Sequence, residues 1–286
     1  MSFSEYYNEL ASNPNNLSEW FPKVMGCGLR VPKTAIVPVP EDIAELFFME
    51  KVGMSTMDII NAIYKWTSES FMPTAKAVIG DGLWFIKNGT FSNKFNFDKC
   101  FQQSGNPMKM NDGIIDINYT ALMFGADGIT EMVAREYIQP MEEVPCIYHG
   151  MPMRTEVRVF YDFTKHHVVY AVNYWDESYC KEAISRDPTD RIVYNTYYPI
   201  IAARYEAIKQ PIMAIVEMAM KDVTGLEGIW SVDILDNNPV DSGALNPVNV
   251  WLTDMALGFT SAYWDPDKVT QYEQNLADGK EKPWVI

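Results

Sequence analysis

Residues 229–257 read IWSVDILDNNPVDSGALNPVNVWLTDMAL, and this stretch decides the fold that we expect. Two apolar segments rich in Val, Ile, Leu and Trp are separated by a connection rich in Asn, Pro, Asp and Gly. β-Branched and aromatic residues bounded by such turn residues are typical of paired strands. Each segment carries an aspartate among apolar neighbours, Asp233 in VDILD and Asp254 in VWLTDMA. The stretch therefore predicts two strands, one that carries Asp233 and one that carries Asp254.

The two aspartates point to a metal site. A carboxylate within an apolar strand is costly unless it is paired or binds a cation. Residues on neighbouring strands lie within about 5.5 Å of each other, where two like charges repel without a counter-ion. Mg²⁺ takes carboxylate and phosphate oxygens and would neutralise Asp233 and Asp254 together. The alternative is that one or both aspartates face solvent on the exposed side of a sheet.

Other segments alternate between helix and strand patterns. Four stretches before residue 90 are interpreted as a strand, two helices and a hairpin: Thr34–Val37, 40–51 (PEDIAELFFMEK), 55–66 (STMDIINAIYKW) and 75–88 (AKAVIGDGLWFIKN). The hairpin prediction depends on the Gly-Asp-Gly turn at residues 80–82. The two helix predictions depend on a Pro or Ser/Thr start followed by apolar residues at helical spacing.

The second half of the chain continues this pattern. Three stretches are interpreted as strands: 132–138 (MVAREYI), 155–163 (TEVRVFYDF) and 167–175 (HVVYAVNYW). Residues 191–223 are helical in pattern but contain Pro199 and Pro211. Because proline interrupts a helix, two or more helices are expected there.

These elements predict an α+β fold of several layers. We expect an N-terminal α/β subdomain over residues 1–72, a central strand-rich subdomain over 73–139 and a C-terminal subdomain over 140–286. The last of these contains the two strands that carry Asp233 and Asp254.

Composition limits the possible functions. The formal net charge of −15 repels a nucleic-acid backbone, so nucleic-acid binding is not expected. The sequence contains no apolar run long enough to cross a bilayer and no signal-peptide pattern at its start. The four cysteines form no CxxC pair. We therefore expect a cytoplasmic protein with reduced thiols.

A possible phosphate-binding loop follows an apolar strand in LWFIKNGTFSNKF, residues 83–95. Lys87 lies at the strand end, and Ser92 and Lys94 follow in a polar loop. A lysine beside a loop of small residues is able to neutralise phosphates while the loop amides donate hydrogen bonds. The alternative is an ordinary surface turn, since neither GxxxxGK[ST] nor GxGxxG is present.

Two further segments carry polar groups on strands. Glu156 and Arg158 alternate in RTEVRVFYD and so share one face, where Arg158 could bind a phosphate that Glu156 orients. A structural ion pair is the alternative. In REYIQP, Glu136, Tyr137 and Ile138 leave a strand, and their backbone groups could contact the edge of an adenine ring.

In their order along the chain these pieces resemble the ATP-grasp superfamily. The order is the VPKT segment at residues 31–34, Lys87 with its loop, REYI, TEVRVF, VDILD and VWLTDMA. The resemblance is to a divergent clade found in phages and bacteria and in the eukaryotic chaperones that assemble a translation initiation factor. It spans residues 20 to 265.

The resemblance implies a role for each segment. Lys87 would contact phosphate, and Ser92 and Lys94 would belong to the covering loop. Arg158 would contact phosphate or an acyl-phosphate intermediate. The remaining implied contacts are to the nucleoside by Glu136, Tyr137 and Ile138, to phosphate by Glu156, and to magnesium by Asp233 and Asp254.

The resemblance implies ATP and Mg²⁺ as cofactors and an ATP-dependent carboxylate–amine or peptide ligase that works through an acyl-phosphate. Lys87 and Arg158 would be its catalytic residues, and the acceptor would be a small molecule, an amino acid or a peptide. The aromatic residues after Asp254, which are Phe259, Tyr263 and Trp264, would either line the acceptor side or pack in the core.

One departure favours a different function. In the family x-Asn follows the second acid, whereas Met255 and Ala256 follow Asp254 here, so one metal ligand is absent from the motif. The alternative function is an ATP-binding assembly chaperone or binding module that uses the same fold without ligase turnover.

Overall fold

The computed structural model describes residues 1–48, 53–126, 128–184 and 187–280, without the side chains of residues 181–183. The chain forms two compact units. The N-terminal unit comprises Met1–Glu19, Pro32–Gln139 and Tyr148–Met151, and the C-terminal unit comprises Trp20–Val31, Pro140–Ile147 and Pro152–Ile286. Each unit combines helices with an antiparallel four-stranded sheet, which confirms the predicted α+β class.

The elements follow one another in a mixed order. The helices are α1 Phe3–Ala11, α2 Leu17–Val24, α3 Glu41–Leu46, α4 Thr56–Trp66, α5 Met72–Ile79, α6 Phe97–Cys100, α7 Pro107–Met123, α8 Glu177–Ile184, α9 Pro188–Met220 and α10 Pro266–Ala277. The strands are β1 Thr34–Pro38, β2 Leu83–Asn88, β3 Phe101–Gln103, β4 Glu131–Glu136, β5 Cys146–Ile147, β6 Met151–Pro152, β7 Glu156–Asp162, β8 His167–Asn173, β9 Ile229–Asp236 and β10 Val250–Leu257. None of the described helices has both the length and the apolar character that a membrane crossing requires.

The sheet of the N-terminal unit has the strand order β1-β4-β2-β3. One of its faces carries Trp84 and Ile86, which are buried in a core with residues of α4, α5 and α7. The opposite face carries Phe85 and Lys87, because side chains alternate along β2. The predicted boundary between residues 72 and 73 falls inside this unit, since β1 pairs with β4.

The predicted helices before residue 67 are confirmed. α4 begins with a capping box in which Ser55 and Asp58 exchange hydrogen bonds. Ile59 and Ile63, one helical turn apart, are buried. α3 covers the first part of the predicted helix 40–51; residues 49–51 lie outside the described part of the chain.

The hairpin predicted over residues 75–88 is wrong. Its first half is α5, which follows α4 through a π-helical turn at Thr67–Phe71, and only β2 is a strand. The five residues AKAVI are too few to separate the two periodicities. Gly80, with φ of 91°, caps the helix and donates its N–H to the carbonyl oxygen of Lys76.

The break predicted at Pro199 and Pro211 is also wrong, because α9 runs without interruption through both. A proline inside a helix costs about 3 kcal/mol. Apolar residues at helical spacing on α9, among them Ile208 and Ile212, are buried where the helix packs on β7 and β8. Each such burial contributes about 1.5 to 3 kcal/mol, so packing outweighs the local cost.

The sheet of the C-terminal unit has the order β10-β9-β7-β8 and separates two environments. Val232, Ile234 and Asp236 of β9 share the face on which α9 packs, since Arg204 of α9 bonds to Asp236. Asp233 points to the other face. The predicted strands 155–163, 167–175 and the pair within 229–257 are confirmed as β7 to β10.

Candidate functional site

Three charged residues lie side by side across the sheet of the C-terminal unit, and we call them the charged row. Arg158 of β7 is the register partner of Asp233 of β9, which in turn is the partner of Asp254 of β10. Directly opposed residues project from the same face of a sheet. The prediction that Asp233 and Asp254 are cross-strand neighbours on one face is confirmed.

A β-bulge brings Asp254 into the charged row. The register shifts between Leu252 and Asp254, so Thr253 is an extra residue in β10. Regular alternation from Leu252, the partner of Ile234, would have placed residue 253 opposite Asp233. The Thr253 hydroxyl donates to the backbone oxygen of Asp233 at 3.0 Å and holds the bulge against β9. Sequence reasoning missed this bulge, since no glycine or proline marks it.

Arg158 and Asp233 form a buried two-point ion pair. Arg158 Nε lies 2.7 Å from Asp233 Oδ1, and Nη2 lies 2.8 Å from Oδ2. The remaining nitrogen, Nη1, donates to the carbonyl oxygen of Ala262 at 3.1 Å. The guanidinium carbon is 5.0 Å from the ring centroid of Tyr174. Arg158 and Glu156 share a face as predicted, and Arg158 forms an ion pair with Asp233.

The surroundings of Arg158 favour its charged form. Burial acts against the guanidinium charge, but the nearby carboxylates of Asp233 and Asp254 outweigh it and raise the pKa of Arg158 above its ordinary value. The charged row thus holds two carboxylates and one guanidinium. Arg158 and Asp233 are 9% and 6% exposed, so water screens their charges only weakly.

The donor set of the charged row fits a magnesium ion bound together with phosphates. A carboxylate offers about four lone-pair positions, and Arg158 occupies two of those on Asp233. Asp254 is half-buried, and its Oδ1 accepts the N–H of Met255 at 3.1 Å. Within the described ranges no cluster of three or more His, Cys, Asp or Glu residues could hold a metal. One or two carboxylates plus substrate phosphates are the usual ligands of Mg²⁺ in nucleotide sites.

Lys87 occupies the predicted position near the end of β2 in the N-terminal unit. It is paired with Val133 of β4 and is only 3% exposed. Gly89, two residues on, approaches its neighbours so closely that an added Cβ would lie 2.6 Å from Glu131 Oε1. Glycine is therefore required where the chain leaves the strand.

The loop after Lys87 is tied to α7 by amide side chains. Asn88 Oδ1 accepts the N–H groups of Thr90 and Phe91, at 3.2 and 2.7 Å, and forms a tight turn. Asn93 Nδ2 donates to Asp116 Oδ2 at 2.7 Å. Ser92 lies between these anchors, and Lys94 begins a 3₁₀ turn over residues 94–96. The predicted phosphate loop is therefore a hydrogen-bonded turn whose backbone is fixed.

The predicted adenine contact follows β4. The N–H groups of Glu136 and Tyr137 donate to the carbonyl oxygens of Lys33 and Leu83, at 2.8 and 3.1 Å. Both N–H groups are therefore already used in backbone hydrogen bonds with neighbouring segments of the chain. Ile138 follows them along the chain. The Tyr137 ring lies 4.7 Å from Phe101, and this pair belongs to an aromatic cluster that sequence reasoning did not identify. The cluster comprises Phe85, Phe97, Phe101 and Tyr137.

The aromatic segment after β10 divides between core and surface. The Trp264 ring lies 5.9 Å from Phe160, and the Tyr263 hydroxyl donates to the backbone oxygen of Tyr174 at 2.7 Å. Core packing, the alternative considered from the sequence, describes these two residues. Phe259 is 66% exposed.

Comparison with known proteins gives weak structural likenesses, two of which follow. No protein-family model and no curated protein matches the chain. A C-terminally truncated Cdc123 from Schizosaccharomyces pombe is similar with a TM-score of 0.48 and 10% identity, over 89% of each chain. A second structure of Cdc123 from the same organism has a TM-score of 0.45 and 10% identity, over 90% of this chain and 88% of that one. TM-scores below 0.5 at 10% identity do not indicate a function for this chain. Neither likeness supports the resemblance to the phage clade.

Proposed function

We propose that this protein binds ATP with magnesium and acts as an ATP-grasp-type binding module of the assembly-chaperone kind, without ligase turnover. The observation that carries the proposal is the charged row, in which Arg158, Asp233 and Asp254 stand in register on one face of the sheet. The partner of such a module would be another protein.

Charge balance is the first support. The carboxylates of Asp233 and Asp254 are neighbours on one face of the sheet, where like charges repel and burial of Asp233 makes its charge costly. A divalent cation would relieve the repulsion between the two carboxylates and create a positive centre for a triphosphate. Asp254 and Asp233 would hold the ion through their carboxylate oxygens, and the ion would neutralise the phosphate charge.

The engagement of Arg158 favours binding over turnover. Its Nε, Nη1 and Nη2 all donate to protein oxygens, two of them to Asp233. An arginine that stabilises a transferring phosphoryl group must direct its donors at that group. Arg158 instead orients Asp233 and holds the Ala262 segment. The Met255-Ala256 sequence, which lacks the expected Asn ligand, is consistent with this interpretation.

A ligase is the second candidate function, and one observation favours it. Arg158 lies on the same face as the two aspartates, which is where a residue that contacts phosphate and an acyl-phosphate would lie. In such a reaction the γ-phosphoryl group of ATP is transferred to a carboxylate with release of ADP. An amine then attacks the acyl carbon, and phosphate leaves.

Calorimetric titration with ATP, with Mg²⁺ and with EDTA, tests the binding proposal. We expect Mg²⁺-dependent binding in the unmodified protein and more than about tenfold weaker binding in Asp254→Asn, a change that keeps the size of the side chain. Asp241→Asn removes an exposed carboxylate of the same unit and should bind like the unmodified protein. Equal affinity of Asp254→Asn and Asp241→Asn would contradict the proposal.

An ADP-release assay separates the two candidate functions. With Mg-ATP and mixtures of amino acids or short peptides, the binding module should release no ADP above the level found without acceptor. Release of ADP that depends on an acceptor, and that Asp254→Asn abolishes, would establish the ligase instead. Lys87→Met, tested in the same titration, should weaken ATP binding if Lys87 contacts phosphate.

A further inference from the structure

A small cavity in the C-terminal unit plays no part in the proposed nucleotide site. It lies between α9, the loop that follows β9 and the segment Pro140–Ile147. Asp236 lines it from the α9 face of the sheet, so the cavity and the charged row are on opposite faces. Its volume of about 20 Å³ accommodates one group of the size of a water molecule or an ammonium. Met141, Val144 and Val240 add apolar lining, which reaches the surface at Met141.

Two hydroxyl groups that make no hydrogen bond with the described residues belong to this lining, those of Thr155 and Tyr197. Thr155 lies opposite Asp236 across the sheet, since the Asp236 N–H donates to its carbonyl oxygen at 2.9 Å. Its side chain therefore projects from the α9 face toward the cavity. Thr155 is 5% exposed, and Tyr197 of α9 is half-buried. Both hydroxyl oxygens keep some accessible surface, so a group of the size of water reaches them.

Glu142 adds a carboxylate to the same cavity. Its Oε1 accepts the N–H of Val240 at 2.7 Å, and the side chain forms no ion pair with any residue in the described ranges. Burial, and after it the charge of Glu142, raises the pKa of the Tyr197 hydroxyl, so these two groups are close. The cavity therefore presents one carboxylate and two hydroxyls to a single small group.

We propose that this cavity binds the side-chain ammonium of a lysine from a partner protein. An ammonium has three N–H donors and no acceptor, which matches one carboxylate and two hydroxyls. The four-carbon stem of the lysine lies along the apolar lining, as long basic side chains do on apolar surface. A guanidinium is too large for a cavity of this volume. The formal net charge of −15 favours the approach of a basic segment.

Arg154 also lines the cavity, and its charge opposes that of a bound cation. Its Nη1 donates to Asn237 Oδ1 at 3.3 Å, in the loop after β9. The ammonium therefore binds only while Glu142 is ionised. A water molecule, the alternative occupant, needs no charge at Glu142 because it uses neutral hydrogen bonds. Loss of that charge thus distinguishes a bound lysine from ordered water.

The test is an NMR titration of the ¹⁵N-labelled protein with N-acetyl-lysine-N-methylamide. We expect saturable shifts at the amides of Glu142, Thr155 and Tyr197. The norleucine compound keeps the stem without the ammonium, and the arginine compound carries the larger guanidinium; both should bind more than about tenfold more weakly. Leucinamide offers the ammonium of a chain terminus, and tighter binding of any of these three would overturn the assignment of lysine. The titration contains no nucleotide, so its outcome is separate from that of the ATP titration.

Matched pairs of variants test whether the shifts report this cavity. Glu142→Gln keeps an acceptor for the Val240 N–H and should abolish saturable binding, whereas Glu143→Gln removes the exposed carboxylate beside it and should leave binding unchanged. Tyr197→Phe should weaken binding severalfold, and Tyr198→Phe, outside the lining of the cavity, should not. Absence of saturable shifts in the unmodified protein, or identical behaviour of the two Gln variants, would overturn the proposal and leave ordered water in the cavity.

Discussion

β9 carries two buried arginine–aspartate pairs, three residues apart and on opposite faces of the sheet. Arg204–Asp236 lies on the α9 face with side chains 4% and 1% exposed, and Arg158–Asp233 lies on the other face with side chains 11% and 8% exposed. The difference is in what surrounds them. Asp236 Oδ1 accepts two hydrogen bonds from Asn238, and these bonds hold the start of the loop after β9. Asp233 instead has a second carboxylate, that of Asp254, as its cross-strand neighbour.

Under the proposed function, the comparison separates a structural pair from one that takes part in binding. Charges are balanced around Asp236, and each of its oxygens holds a segment of the chain in place. The charged row instead has a second carboxylate, Asp254, beside the pair, which is where the proposed cation would bind. Under that proposal, the same pair of residue types serves two purposes, according to whether a second acid lies in register.

Asp236→Ala should have the largest effect. It leaves the Arg204 guanidinium buried without its counter-charge and releases Asn238, so we expect a loss of about 3 to 5 kcal/mol in the free energy of unfolding. Urea denaturation followed by tryptophan fluorescence measures it. Asp241→Ala, at an exposed position in the following loop, should change stability by less than about 0.5 kcal/mol. A loss in Asp236→Ala no larger than that would show that the pair is not structural.

Asp254→Asn should change ligand-linked stability more than intrinsic stability. In the unmodified protein, Mg-ATP at about a hundred times its dissociation constant should raise the free energy of unfolding by about 2.7 kcal/mol. We expect Asp254→Asn to lose most of this increment while its stability without nucleotide changes little, because Asp233 still balances Arg158. Denaturation with and without Mg-ATP measures both quantities. Retention of the full increment would remove Asp254 from the proposed site.

Asp233→Ala sharpens the contrast between the two pairs. Asp254 remains beside Arg158 and already favours its charge, so the arginine keeps a counter-ion. We therefore expect a loss of about 1 to 2 kcal/mol, smaller than for Asp236→Ala. The double variant Asp233→Ala/Asp254→Ala should then be more destabilised than the sum of the single variants. Additive losses would mean that the charged row does not act as a unit.

The sequence predicted the strands better than the contacts between them. The apolar segments around Asp233 and Asp254 correctly predicted a strand pair with opposed acids. The bulge at Thr253 and the pairing of Arg158 with Asp233 depend on register, which no local pattern specifies. Glu156 shares a face with Arg158 but lies two residues along the same strand, farther than the directly opposed Asp233.

The two wrong element predictions have the same cause. Both predictions depend on short local sequence patterns, and these patterns do not include the tertiary packing that determines the structure. The residues AKAVI alternate in a way that fits a strand, yet α5 forms because Ala75 is buried in the core and Gly80 provides the cap. Pro199 and Pro211 usually break helices, yet the buried apolar residues of α9 hold it together. The role of Asp236 was missed because it lies in the same VDILD segment as Asp233, and only the position of α9 distinguishes the two.

Ser242→Ala should have the smallest effect on stability and so tests how the Arg204–Asp236 pair is built. The pair uses the backbone carbonyl of Ser242, which the substitution keeps, whereas the hydroxyl makes no hydrogen bond with the described residues. Loss of an unpartnered buried hydroxyl removes an unfavourable group, so we expect the free energy of unfolding to change by no more than about 0.5 kcal/mol. Urea denaturation beside Asp236→Ala measures the contrast. A loss above about 1 kcal/mol would mean that the Ser242 hydroxyl is satisfied in solution and helps to hold the loop after β9.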